Sequence, residues 1–229
     1  MVAVAALSTV CAWSQARLSG QVEVHHLAGV KGDNAGVVVW LTSDAATTAE
    51  PVAAAGGKFR MAQRHQRFEP DLLVIPVGAT VEFPNFDPYF HNVFSLGDNR
   101  PFDLGLYQAG SARTRRFTQA GVSYVFCNIH PRMSGVILTV PTRWYAVSDA
   151  AGKLTLPDAP PGTYQLHVWY ERARAAELNA LDRGVTLTAG ENTLPAITID
   201  EVAVPATHLN KYGKAYDTTR AYGGGGGGK

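Results

Sequence analysis

The stretch Ser123-Tyr124-Val125-Phe126-Cys127-Asn128-Ile129-His130-Pro131-Arg132-Met133-Ser134-Gly135-Val136-Ile137-Leu138-Thr139-Val140 decides how this chain is read. An apolar run ends at Cys127 and another begins at Gly135. Both are rich in β-branched and aromatic residues, which suit a pleated, half-buried surface. Between them lie seven residues, Cys127 to Met133, carrying a thiol, an imidazole and a thioether. A loop of that length joining two strands lies at one end of a sandwich or barrel.

Working outward, the same grammar recurs. Leu72–Pro76 and Thr80–Pro84 flank the turn Val77-Gly78-Ala79. His91–Leu96 follows a Pro/Asp-rich loop. Thr114–Thr118 and Ser123–Cys127 flank Gln119-Ala120-Gly121. Short strands with turn chemistry between them indicate an all-β sandwich. A second block begins near Tyr145, with turns at Ser148–Lys153 and Pro160-Pro161-Gly162. In it Tyr164, Leu166, Val168 and Tyr170 alternate onto one face. Val22–Val24 and Val37–Leu41 form an early pair of β-rich runs, and Val185–Leu187 and Ala196–Ile199 later strands. Arg172 to Leu181 is the best helix or loop candidate. Residues 42–57 read as a linker by composition. The stretch 203–229 is polar, ends in six glycines and a lysine, and reads as a disordered tail.

Composition narrows the function classes. With 17% charged residues and a formal net charge of +1, the chain has no basic stripe of the kind nucleic acid requires. Met1 to Ala12 is almost wholly apolar and small, and Ser14-Gln15-Ala16 resembles a small-x-small cleavage site. This reads as a signal peptide over residues 1–16, although no Lys or Arg precedes its apolar run. The run is too short to span a membrane, and no later stretch is long enough. Export to the periplasm or beyond follows as the expectation. Cys11 would leave with the leader, so the mature chain would carry one thiol, Cys127, and no intramolecular disulfide. A lone thiol in an oxidising compartment is better explained if something occupies the sulfur.

Upstream, His91 opens its own strand after Asp87-Pro88-Tyr89-Phe90. With Cys127, His130 and Met133 it completes one thiolate, two imidazoles and a thioether. This is the donor set of a blue-copper site, trigonal in His₂Cys with a weak axial Met. Cu(I) favours soft sulfur and Cu(II) favours nitrogen, so a rigid mixed set changes little when an electron moves. Each residue alone has a plainer reading. Cys127 could be a buried structural thiol, Met133 core filler, and either histidine a satisfied polar residue. His25 and His26, adjacent on a strand, point to opposite faces and cannot easily share an ion. His65, His167 and His208 have no partners visible in sequence, and Met61 reads as core.

On the triplet His91-Asn92-Val93, the Cys-x₂-His-x₂-Met spacing with Pro131 after His130, and Val77-Gly78 to Val81, residues 57–141 resemble a cupredoxin of the amicyanin/plastocyanin type. The resemblance implies a Greek-key β-sandwich, one type 1 copper held by His91, Cys127, His130 and Met133, and a periplasmic location. It also implies electron exchange with a redox protein partner, a dehydrogenase or cytochrome c. By the same match Asn92 would tie the two ligand loops together, and Asn128 would offer a polar group beside Cys127. Val147-Ser148-Asp149 through Gly152, with Leu156-Pro157 through Pro161-Gly162-Thr163-Tyr164-Gln165-Leu166-His167-Val168, resembles a carboxypeptidase regulatory-like, transthyretin-like β-sandwich. That family's opening strand pair matches residues 19–24 and 36–41. The whole chain is similar to methylamine-utilisation-like proteins.

The domain organisation expected is therefore a split sandwich, 17–56 with 142–202, holding the cupredoxin domain, 57–141, as an insert. The alternative is a pair of N-terminal strands that extends the copper domain. The function expected is single-electron transfer without enzymatic turnover. A copper carrier or sensor that does not cycle, and a structural surface protein, are the competing readings. Pro88, Tyr89, Phe90 and Pro131 are expected to form an apolar docking patch around His130.

Overall fold

The computed structural model describes residues 15–43, 58–96, 101–205 and 207–216. The expected leader up to residue 14, most of the expected linker and the glycine-rich end lie outside them. The described parts of Met1–Asp44 and Trp144–Asp200 form one compact unit, and those of Ala45–Arg143 and Glu201–Lys229 a second. In chain order the first unit supplies β1 (Ala16–His25) and β2 (Val38–Thr42). The second supplies β3 (Phe59–Arg60), β4 (Ala62–Arg64), β5 (Arg67–Glu69), β6 (Leu72–Pro76), β7 (Thr80–Pro84), β8 (His91–Ser95), β9 (Phe102–Tyr107), β10 (Ala112–Arg116), β11 (Gly121–Phe126) and β12 (Ser134–Val140). The chain then re-enters the first unit with β13 (Tyr145–Val147), β14 (Lys153–Ala159), β15 (Gly162–Trp169), α1 (Ala175–Leu181), β16 (Arg183–Leu187), β17 (Gly190–Thr193) and β18 (Ile197–Asp200). The protein is nearly all β, as its alternating runs predict. Among the described residues no helix is long and apolar enough to cross a membrane.

The first unit has two four-stranded sheets. In one, β1 pairs with β14, β17 and β18; in the other the order is β13-β2-β15-β16. Alternation on β15 buries Tyr164, Leu166 and Val168, and Tyr170 beyond the strand is buried too. They meet Val37, Val39 and Leu41, and the Trp144 ring stands edge-on to Tyr164 at 5.5 Å. The Asp149 turn ahead of β14 has a glycine for a physical reason. Gly152 has φ +80°, and a Cβ there would lie 2.1 Å from the carbonyl oxygen of Val22. Ala16, the residue after which cleavage is expected, begins β1 and is fully buried opposite Ala159 and Gly190.

The second unit has a five-stranded sheet, β6-β12-β11-β8-β9, a three-stranded sheet, β10-β7-β3, and the hairpin β4-β5. Val81 and Phe83 from β7 pack with Ile75, Val93, Val125 and Ile137 from the larger sheet in one core. Truncating such a buried aromatic costs about 3–5 kcal/mol, so this core fixes the loops at its ends. Residues 207–216 belong to this unit and correct the expectation of a tail without order. His208, Lys211 and Tyr216 hydrogen-bond to it, and Asn210 organises the turn between them. Composition alone could not reveal this, because the partners lie about eighty residues earlier in the chain.

Candidate metal centre

Strand register places the sulfur. On β11 the alternation buries Ser123 and Val125 and exposes Tyr124, so the next inward position is Cys127, which is fully buried. The loop closes on itself: Cys127 N–H donates to Met133 O at 3.1 Å, and Met133 N–H to His130 O at 3.0 Å. That turn brings His130 back beside the thiol. On β8, His91 and Val93 share the core-facing side, and His91 is fully buried.

The result is convergence. The ligating atoms of His91, Cys127 and His130 all lie within 4.8 Å of one another. Cys127 Sγ is 3.6 Å from Nδ1 of His91 and 3.6 Å from Nδ1 of His130. A single first-row ion bonded to nitrogen at about 2.0 Å and sulfur at about 2.3 Å spans such a gap. Met133 is fully buried in the same core cluster as Cys127. Met61, expected as core, is core.

Protonation favours the same arrangement. Nε2 of His91 lies 2.7 Å from Asp87 Oδ2. The carboxylate can only accept, so Nε2 is the donor and Nδ1 is the ring nitrogen left facing the sulfur. Burial, then the neighbouring His91, holds the His130 pKa below the usual imidazole range, against the opposing pull of Asp87. A neutral imidazole is a ligand; an imidazolium is not. Burial pushes the Cys127 thiol up, while the backbone N–H groups of Asn92, Ile129 and His130 oppose this. A thiolate in that spot needs a cation against it. Two imidazole nitrogens and one sulfur, with a buried thioether in the same core, fit copper better than a structural zinc site, which takes a fourth firm ligand.

Asp87 is the residue that sequence reading missed. It also accepts N–H bonds from His65 at 2.7 Å and Gln66 at 2.9 Å. Burial alone would raise its pKa, but the Gln66 N–H, the His91 ring and the His65 N–H outweigh it and hold the carboxyl below its usual range. The available signal was a carboxylate four residues before a candidate ligand. Asn92 reaches the Cys127 sulfur through its backbone N–H, while its side chain donates to Asp103 and to Gly105 O on β9, at 2.7 and 2.9 Å. Asn128 turns its Oδ1 to the Lys211 N–H at 2.9 Å. Tyr89 and Phe90 are exposed, and the Tyr89 ring lies 5.3 Å from that of His91 and 5.8 Å from that of His130, while the exposed Phe86 ring lies under the Arg64 guanidinium at 4.4 Å.

No family model matches the chain, and no curated protein matches it. Among solved structures it is similar to cupredoxins. A novel purple cupredoxin from Nitrosopumilus maritimus is 23% identical, covering 36% of this chain and all of that one at a TM-score of 0.34. An amicyanin variant in its reduced state is 23% identical, covering 44% of this chain and 98% of that one at 0.35. A Cu(I) form of another amicyanin variant is 22% identical with the same coverage and score.

Proposed function

We propose that this protein is a type 1 copper electron carrier, with His91, Cys127 and His130 as the strong ligands and Met133 as the weak axial one. The observation that carries the reading is the approach of two imidazole Nδ1 atoms to one buried sulfur, each at 3.6 Å. Copper bound there supplies one-electron chemistry between Cu(I) and Cu(II). The chain's own residues do the rest. Asp87 fixes the His91 tautomer, the hairpin β11–β12 holds Cys127 inward, and the core excludes water from the sulfur. His130 is the less buried imidazole and lies beside the exposed Tyr89, so it is the side from which electrons enter or leave. The exposed Tyr89 and Phe90 side chains just before His91 offer a small apolar surface that suits the brief encounter of two redox proteins. A dehydrogenase or cytochrome c in the periplasm is the partner we propose. The first unit, as a carboxypeptidase regulatory-like sandwich, would then dock or anchor the carrier.

The test is optical. Full-length protein loaded with copper and oxidised should be intensely blue or purple, and Cys127→Ser should remove the colour. An uncoloured wild-type protein with Cys127 reduced and copper in excess overturns the proposal. Rapid loss of copper to a chelator without redox cycling would favour a metal carrier.

A further inference from the structure

The ligand loop leaves three acceptors facing away from its own hairpin, and the C-terminal segment meets all three. Tyr216 Oη donates to Cys127 O at 2.7 Å, Lys211 N–H to Asn128 Oδ1 at 2.9 Å, and His208 N–H to Pro131 O at 3.3 Å. The segment has its own scaffold. Asn210 Oδ1 accepts the N–H groups of Tyr212 and Lys214, and Asn210 N–H returns to Lys214 O at 2.8 Å. Lys211 Nζ is pinned to Asp103 Oδ2 at 2.7 Å, and Asp103 also holds the Asn92 side chain next to His91. One short segment thus touches the thiol residue, the middle of its loop and the strand beside the other ligand.

Apolar cover adds an independent reason. Phe94 on β8 pairs in register with Phe126 on β11, and both alternate away from the ligand-bearing face. Phe94 is nonetheless fully buried. The His208 ring stacks on Phe126 at 4.3 Å with 27° between planes, stands 6.2 Å from Phe94, and meets the Tyr216 ring edge-on at 5.4 Å. An outer face carrying two phenylalanines needs such a lid to stay out of water.

We propose that residues 207–216 are a strap that positions the Cys127–Met133 loop, with Tyr216 and His208 as its positioning residues. The strap acts through the loop and touches no ligand atom. The inference rests on the copper reading for its effect on a metal, but its effect on the loop stands without one. Removing the Tyr216 hydroxyl leaves Cys127 O without its donor and frees the residue that carries the sulfur. Loops open locally when such bonds are lost, and an opened loop exposes the buried thiol.

The experiment compares full-length protein with Tyr216→Phe, which keeps the ring and loses the donor, and with a chain lacking residues 206–229. In the metal-free proteins the rate of Cys127 alkylation by iodoacetamide is followed, with the unfolding midpoint as a check on the fold. Alkylation should be roughly fivefold faster in Tyr216→Phe and faster still without the strap, while the Tyr216→Phe midpoint barely moves. In the copper-loaded proteins the visible charge-transfer band and the reduction potential should both shift. Unchanged alkylation, band and potential in Tyr216→Phe overturn the strap, even if the shortened chain fails to fold. A wild-type protein that takes up no copper sinks the electron-carrier reading alone, because the metal-free alkylation rates still decide this one.

Discussion

At the scale of single residues, the site depends most on a side chain that is not a ligand. Asp87 joins the Nε2 proton of His91 to two backbone N–H groups, those of His65 and Gln66. Carboxylates that orient a ligating imidazole are worth about 10–100-fold in metal affinity when removed. Asp87→Ala should therefore weaken copper binding by about that factor in a Cu(I) competition titration. Asp87→Asn keeps an acceptor oxygen but not the charge, and should lose less. Equal affinity of Asp87→Ala and wild type would show that His91 needs no orientation from this side. The four ligand candidates were legible because the loop packs three of them into seven residues and His91 opens a strand. Asp87 was not, because its role depends on a fold that places a turn from residues 65 and 66 above it.

Elements tell the same story at longer range. Runs such as Leu72–Pro76, Thr80–Pro84 and Tyr164–Val168 announced strands, since branched and aromatic residues alternate or cluster there. β9 was invisible: Phe102–Tyr107 contains Asp103 and Gly105 and buries only Tyr107 fully, so it has no clean period. The two- and three-residue strands β3, β4 and β5 are too short to carry any pattern. The turn between β4 and β5 is unusual in another way. His65 and Gln66 have φ of +52° and +58°, where a two-residue hairpin prefers Asn-Gly. Asp87 holds that conformation by capping both N–H groups. A side chain in the left-handed region costs about 1–2 kcal/mol, and glycine's extra chain entropy about 0.5–1 kcal/mol. Gln66→Gly keeps the N–H for Asp87, so it should stabilise the second unit by roughly 0.5–1 kcal/mol in urea unfolding. A destabilised variant would mean that the Gln66 side chain, exposed as it is, contributes more than its backbone strain removes.

At the scale of the whole chain, the question is what the second unit is to the first. The chain leaves the first unit after β2 and returns at Trp144, a hundred residues later. Yet Leu41 N–H donates to Trp144 O at 3.0 Å, and β2 pairs with β13 through Tyr145 opposite Trp40. The exit and the return are neighbours in one sheet. In the first unit's own frame, everything between them takes the place of a hairpin loop. Closing a loop costs free energy that grows only as the logarithm of its length. Replacing an unstructured stretch of about a hundred residues by about five saves roughly 2–3 kcal/mol. Val37, Val39, Leu41, Tyr164, Leu166 and Val168, all buried, belong to the first unit itself. A chain with residues 44–143 replaced by a short Gly/Ser turn, and ending after residue 200, should therefore fold with a single cooperative transition and bind no copper. Thermal unfolding followed by circular dichroism checks it. A shortened chain without a transition would show that the strands before residue 44 need the second unit, as they would if they extended that unit and did not open a separate sandwich.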